Sequence, residues 1–251
     1  MKLTLTFFKR NIKEIFRDPI VYVFCLIFPS LMIVLFAIIN NFSKVSLFKM
    51  NQLIPGIIVF AYSFVTLSAS ITVSKDINTF FLKRLYISPL KTINFILAYF
   101  LTFFIIGLLQ FIITILLGWI VSLVIKEDYF SFLSSFLLLI SSLPYLILSI
   151  FLGIFISSTF SEKASPAITS IFISLASILS GCYMPLEKMG EFETFCNFLP
   201  FYPTVKIGRL ITLSSSFSNK NYIDILIIFI YMSISIFLGI FFFNKQKSKD
   251  K

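Results

Sequence analysis

The sequence predicts an all-α integral membrane protein of six transmembrane helices, preceded by an interfacial helix and interrupted by short helical segments on both sides of the bilayer. Three observations predict it. Apolar residues make up 58% of the 251 and charged residues 13%, against about 45–50% and about 25% in soluble domains, which leaves too little polar surface to cover a soluble fold. Six apolar runs reach the roughly 20 residues that cross a ~30 Å hydrocarbon core as helix. The basic residues are also unequally shared between the two sides, with 14 of 21 Lys and Arg on the side of the N-terminus, which the positive-inside rule makes cytoplasmic.

The first element covers residues 2–17. Leu5, Phe8, Ile12, Ile15 and Phe16 recur at helical spacing on one stripe, with Lys9, Arg10, Asn11, Lys13 and Glu14 over most of the rest, the pattern of a helix lying in the membrane interface. A frayed basic tail that merely orients the chain would not need the stripe. Asp18-Pro19 then breaks the helix and turns the chain into the membrane. The spans are expected near residues 20–39, 53–73, 92–125, 130–156, 166–184 and 222–243. The third is too long for one upright span and is expected to tilt or to begin as an interfacial turn near Asn94. Among charged residues only Asp224, at the start of the last run, falls inside a run.

Between spans two and three stands SKDINTFFLKRLYISPL, residues 74–90. Wound as a helix over 75–88, it places Ile77, Phe80, Phe81 and Leu85 on one face, with Asp76 near the positive start and Lys83 and Arg84 near the negative end. Ser88-Pro89 stops it before the chain re-enters the membrane. A short capped helix tied tightly to two spans is a lever for a soluble partner, or it is a surface helix resting on lipid phosphates. Periodicity alone favours neither. After span five, Phe192, Phe195, Cys196 and Leu199 take i, i+3, i+4, i+7 spacing, as a membrane-resting amphipathic helix would.

The order of these features resembles the permease subunit of ABC transporters of the ABC-2 (type V exporter) family. Phe16-Arg17-Asp18-Pro19 is similar to the turn after that family's elbow helix. Asp76, Thr79, Lys83-Arg84-Leu85 and Pro89-Leu90 match its coupling-helix pattern, and Ser180-Gly181-Cys182-Tyr183-Met184-Pro185-Leu186-Glu187 is similar to its Ser-Gly-x-x-x-Pro-Leu-Glu segment. Leu199-Pro200-Phe201-Tyr202-Pro203-Thr204 resembles the turn before the last span, but the family's Asn is replaced by Tyr202 or absent. The resemblance implies an elbow helix with Phe8, Ile12, Phe16, Arg17 and Pro19. It implies a coupling helix in which Asp76, Thr79, Phe80, Lys83, Arg84, Leu85 and Pro89 meet an ATPase, and a short external helical pair within 185–221.

On this resemblance the chain is a transport subunit, not an enzyme. Two copies, or one copy with a paralogue, would pair in the cell membrane with both termini cytoplasmic and receive two copies of an ABC ATPase. ATP and Mg would be held by that partner. No G-x-x-x-x-G-K-[ST] loop occurs here, so this chain is not expected to cradle ATP. The sequence has no His, which removes His-based metal sites and proton relays, and no buried acid pair marks an ion-coupled carrier. The net charge of +10 reads as cytoplasmic lysines facing anionic lipid, not as nucleic-acid binding. The expected cargo is amphipathic or hydrophobic, of drug, peptide-antibiotic or lipid-like kind. The alternative is a self-immunity protein that sequesters a toxin without moving it. Gln110 in span three and Ser174 and Ser177 in span five are the candidates for a substrate path. Each also has a plainer reading as helix–helix packing, Gln110 through an interhelical hydrogen bond. Cys25 reads as a small buried hydrophobe, while Cys182 and Cys196 lie near one membrane face, where a disulfide could join them.

Overall fold

The computed structural model describes residues 2–43, 48–78, 92–126, 131–214 and 219–249, and the described elements are helical throughout. Helix α1 (Lys2–Ile15) ends where the Asp18 N–H closes on the Ile15 carbonyl at 3.0 Å. The chain restarts at α2 (Pro19–Val21), with proline at the first helical position, where its missing N–H costs nothing. A π-helical turn, Tyr22–Ile27, carries α2 into α3 (Phe28–Ser43). Pro29 explains the widened turn. It has no N–H for the Cys25 carbonyl and its ring would press on that carbonyl, so the preceding turn opens and the Phe28 N–H reaches back to Val23.

Helix α4 (Met50–Asn78) is the centre of the molecule. Leu53 through Ser70 are buried without a break, the state expected of a helix that is apolar all round. Around it pack α5 (Thr92–Ile125), α6 (Phe132–Thr159) and α7 (Ala164–Leu179), and α10 (Asn219–Lys249) closes on α6. Hydrocarbon is as apolar as leucine, so helix association here depends on close packing. Gly153 of α6 illustrates it. A Cβ there would stand 2.7 Å from both the Thr66 carbonyl and Ala69 Cβ of α4. At the N-terminus of α6, Ser131 accepts the Ser134 N–H on its hydroxyl, closing a side-chain cap at 3.2 Å.

Among the described residues, five helices are long and apolar enough to cross a membrane: Tyr22–Phe42, Met50–Asn78, Thr92–Ile125, Phe132–Thr159 and Asn221–Lys247. The predicted fifth span is the shorter α7, whose 16 residues measure about 24 Å at 1.5 Å each. Hydropathy ran on to residue 184, but the helix stops at Leu179 and Gly181 takes φ +70°, a backbone state that glycine adopts without penalty. The third run is a single unbroken helix, α5, with no interfacial turn near Asn94.

Two further predictions need correction. The buried face of α1 is Phe7, Asn11 and Ile15, seated on α5, while Leu5 and Phe16 of the predicted stripe are exposed. Apolar periodicity located the helix but could not see that a neighbouring span, with an asparagine at the contact, would claim the adjoining face. After α7, a 3-10 turn (Leu186–Lys188) and α8 (Glu191–Asn197) form the expected short pair. Cys196 of α8 is buried while Phe192 and Phe195 lie outward, stacked at 6.4 Å. A third helix, α9 (Phe201–Thr212), was not predicted. It folds back into the end of the bundle, buried against α4, α6 and α10. Cys25, Cys182 and Cys196 are all free thiols. Burial, and then the Glu193 carboxylate, push the Cys196 thiol up.

Candidate functional site

At the α1 end of the bundle three helices meet at one carboxylate. Asp76 occupies the last turn of α4 and is 3% exposed. A carboxylate there faces the negative end of its own helix, and a buried charge without a partner is strongly unfavourable. The fold answers with Arg10 of α1. Its Nη1 donates to Asp76 Oδ2 at 3.3 Å and its Nη2 to Oδ1 at 3.1 Å, the two-pronged geometry that suits guanidinium to carboxylate. The Tyr99 hydroxyl of α5 donates to Oδ2 at 2.6 Å. Arg10 Nη2 also pairs with Glu14, one turn along α1, at 2.7 Å.

Aromatic rings form the floor of this junction. Phe7 meets Phe95 and Tyr99 edge-on at 5.6 and 5.2 Å between centroids, and the Arg10 guanidinium lies 5.8 Å over the Phe7 ring. The end of α10 joins it, with Phe243 6.3 Å from Tyr99 and the Lys247 ammonium 5.6 Å over Phe95. These contacts join α1, α4, α5 and α10 immediately around Asp76.

Of the predicted coupling residues only Asp76 is described. Thr79, Phe80, Lys83, Arg84, Leu85 and Pro89 lie outside the described residues. Residues 75–78, expected to open a separate helix, are the last turn of α4; span two carries straight into the segment because no breaker precedes Asn78. In the elbow, Phe8 and Ile12 are half-buried, Arg17 is exposed and Pro19 starts α2. Phe16 packs on Tyr22 at 6.3 Å, and the Tyr22 hydroxyl donates to the Phe16 carbonyl at 2.7 Å.

The three pathway candidates separate. Gln110 is buried, its Nε2 donating to the Ala61 carbonyl of α4 at 2.9 Å while Oε1 has no hydrogen-bond partner among the described residues. This interhelical bond is the plainer of its two readings. Ser177 is buried and Ser174 is exposed on α7, beside Ser170. Sequence reasoning missed Arg10 and Tyr99 as partners of Asp76. Their one signal was chemical: a buried acid at the inner margin of a span needs a cation, and Arg10 is among the few basic residues of the preceding interfacial helix.

Comparison with known families decides the assignment. The model of the ABC-2 type transporter family matches residues 2–213. The chain belongs to this family. The match takes in α1, Asp76 with Arg10 and Tyr99, and α9, within the membrane domain of an ABC transporter permease, while Phe243 and Lys247 of α10 lie beyond it. As a permease it is a multi-pass membrane protein whose family supplies a transport path and not a catalytic centre. A search of curated proteins gives no match to this chain.

Proposed function

We propose that this permease is the membrane subunit of an ATP-driven exporter, moving an amphipathic or hydrophobic cargo out of the cytoplasm or inner leaflet. Two copies, or a copy and a paralogue, pair in the cell membrane with both termini cytoplasmic, and each receives one ABC ATPase that holds ATP and Mg. Residues 79–89, with Thr79, Phe80, Lys83, Arg84, Leu85 and Pro89, are the surface the ATPase grips. The observation that carries this reading is the Asp76 junction. The gripped segment begins three residues beyond a buried carboxylate that is hydrogen-bonded to α1 and α5. Pulling on it shifts three helices together.

For the path we favour the outward face of α7, where Ser170 and Ser174 are exposed between Ile171 and Leu175. Small hydroxyl residues on a membrane helix suit a helix–helix seam, and such a seam gives a weakly polar cargo a route without full charge desolvation. Ser177, turned inward, would act only by setting the position of α7.

Co-purification tests the proposal. An ABC ATPase should be retained by the wild-type permease and released by K83E/R84E, with the permease still folded. D76N should keep the ATPase but lose ATP-driven transport. Absence of any associated ATPase would favour the toxin-sequestering alternative.

A further inference from the structure

At the opposite end of α4, helix α9 is built around the proline of that span. Pro55 lies inside α4 and has no N–H, so the Asn51 carbonyl four residues back lacks its helical partner. The Thr212 hydroxyl of α9 stands 2.5 Å from that carbonyl, and also 3.1 Å from the Gly208 and Arg209 carbonyls of its own helix. One turn earlier, Gly208 lets the ring in: a Cβ there would be 2.7 Å from Pro55 Cβ. Between them Arg209, 7% exposed, donates Nε to the Gln52 carbonyl at 3.1 Å and Nη2 to the Gly181 carbonyl at 2.7 Å.

Arg209 is thus a buried cation in contact with two carbonyl dipoles, and no carboxylate pairs with it among the described residues. A purely apolar contact would not need a cation here, and burying one without a paired carboxylate is costly. What guanidinium supplies is reach in fixed directions, and here it joins α9 to two different elements, the start of α4 and the turn after α7. Lys206 of the same helix adds a third tie, to Asp224 of α10 at 3.3 Å.

We infer that Arg209 is a positioning residue for transport. With Thr212 it locks α9, the proline-bearing end of α4 and the turn after α7 into one body, so the far end of the path opens by displacement of that body and not by bending at Pro55. The contact stands apart from the exporter reading; only its consequence for transport rests on it.

The test uses the full permease in nanodiscs, spin-labelled at M184C and L213C. Both positions are exposed, while Cys25, Cys182 and Cys196 are buried and leave the labels to the introduced sites. With labelled permease diluted in unlabelled copies, so that only distances within one copy are read, pulsed electron resonance should give one narrow distance in the wild type, a broadened one in R209Q, and an intermediate one in R209K, whose ammonium meets one carbonyl at a time. T212S should behave as wild type. T212V should broaden the distribution when residue 55 is proline and leave it unchanged in P55A, where the residue 55 N–H satisfies Asn51 itself. This second pair decides the matter should R209Q fail to fold. An R209Q distribution equal to wild type, or a T212V effect that is the same in both backgrounds, overturns the proposal. In the complex with its ATPase, R209Q should keep ATP hydrolysis yet lose the nucleotide-driven change in distance between the two copies of M184C; persistence of that change also overturns it. Failure of an ATPase to associate counts against the exporter reading and leaves the first two comparisons standing.

Discussion

Asp76 shows how one side chain can organise the end of a bundle. Its carboxylate is nearly buried, while the Arg10 side chain remains 32% exposed, so solvent weakens the pair and hydrogen bonding carries much of its value. Removing a charged partner of this kind typically costs about 1.5–3 kcal/mol. D76N and R10Q should each destabilise the permease by about that much in detergent unfolding, and the double variant by less than their sum, since the two act on one contact. Y99F should cost about 1 kcal/mol. Additivity in the double variant would mean that the pair is not formed in the membrane. Asp76 could be picked out in the sequence because it stands beside an apolar run. Its partners could not, because Arg10 and Tyr99 lie 66 and 23 positions away and meet it only after the helices pack.

At the scale of elements, hydropathy recovered what hydropathy measures. The long spans are close to where the apolar runs placed them, and Asp18-Pro19 breaks the chain as proline chemistry requires. Helix α9 escaped because its buried residues include Tyr202, Pro203, Thr204, Gly208, Arg209 and Thr212, whose mixed polarity reads as a loop. They tolerate burial because their polar groups are spent: Arg209 and Thr212 donate to carbonyls of α4 and the turn after α7, Thr204 to the Pro200 carbonyl and Tyr202 to the Glu193 carboxylate. The α4–α6 contact offers a sharper test. G153A places a methyl against the Thr66 carbonyl, which cannot yield without moving α4. We expect a loss of about 1–3 kcal/mol by the same unfolding assay, whereas alanine at the exposed Ile140 of α6 should be nearly neutral.

The whole molecule turns on which end faces the cytoplasm. The positive-inside argument and the exporter reading make the same commitment, so one labelling experiment tests both. A membrane-impermeant maleimide should reach M184C on intact cells and reach S161C, between α6 and α7, only after the membrane is opened. The reverse pattern would put the Asp76 junction outside and end the coupling proposal. If the orientation holds, the π turn at Tyr22–Ile27 gains a meaning. Helix α1 is tied to Asp76 below, while the span above the turn is seated through Phe28, whose ring meets Phe60 and Phe64 of α4 at 5.8 and 5.4 Å between centroids. Between these anchors the widened turn holds one residue more than an α-helical turn needs. That surplus is slack in the chain linking floor to wall, and it would let the elbow swivel without unscrewing the span above it.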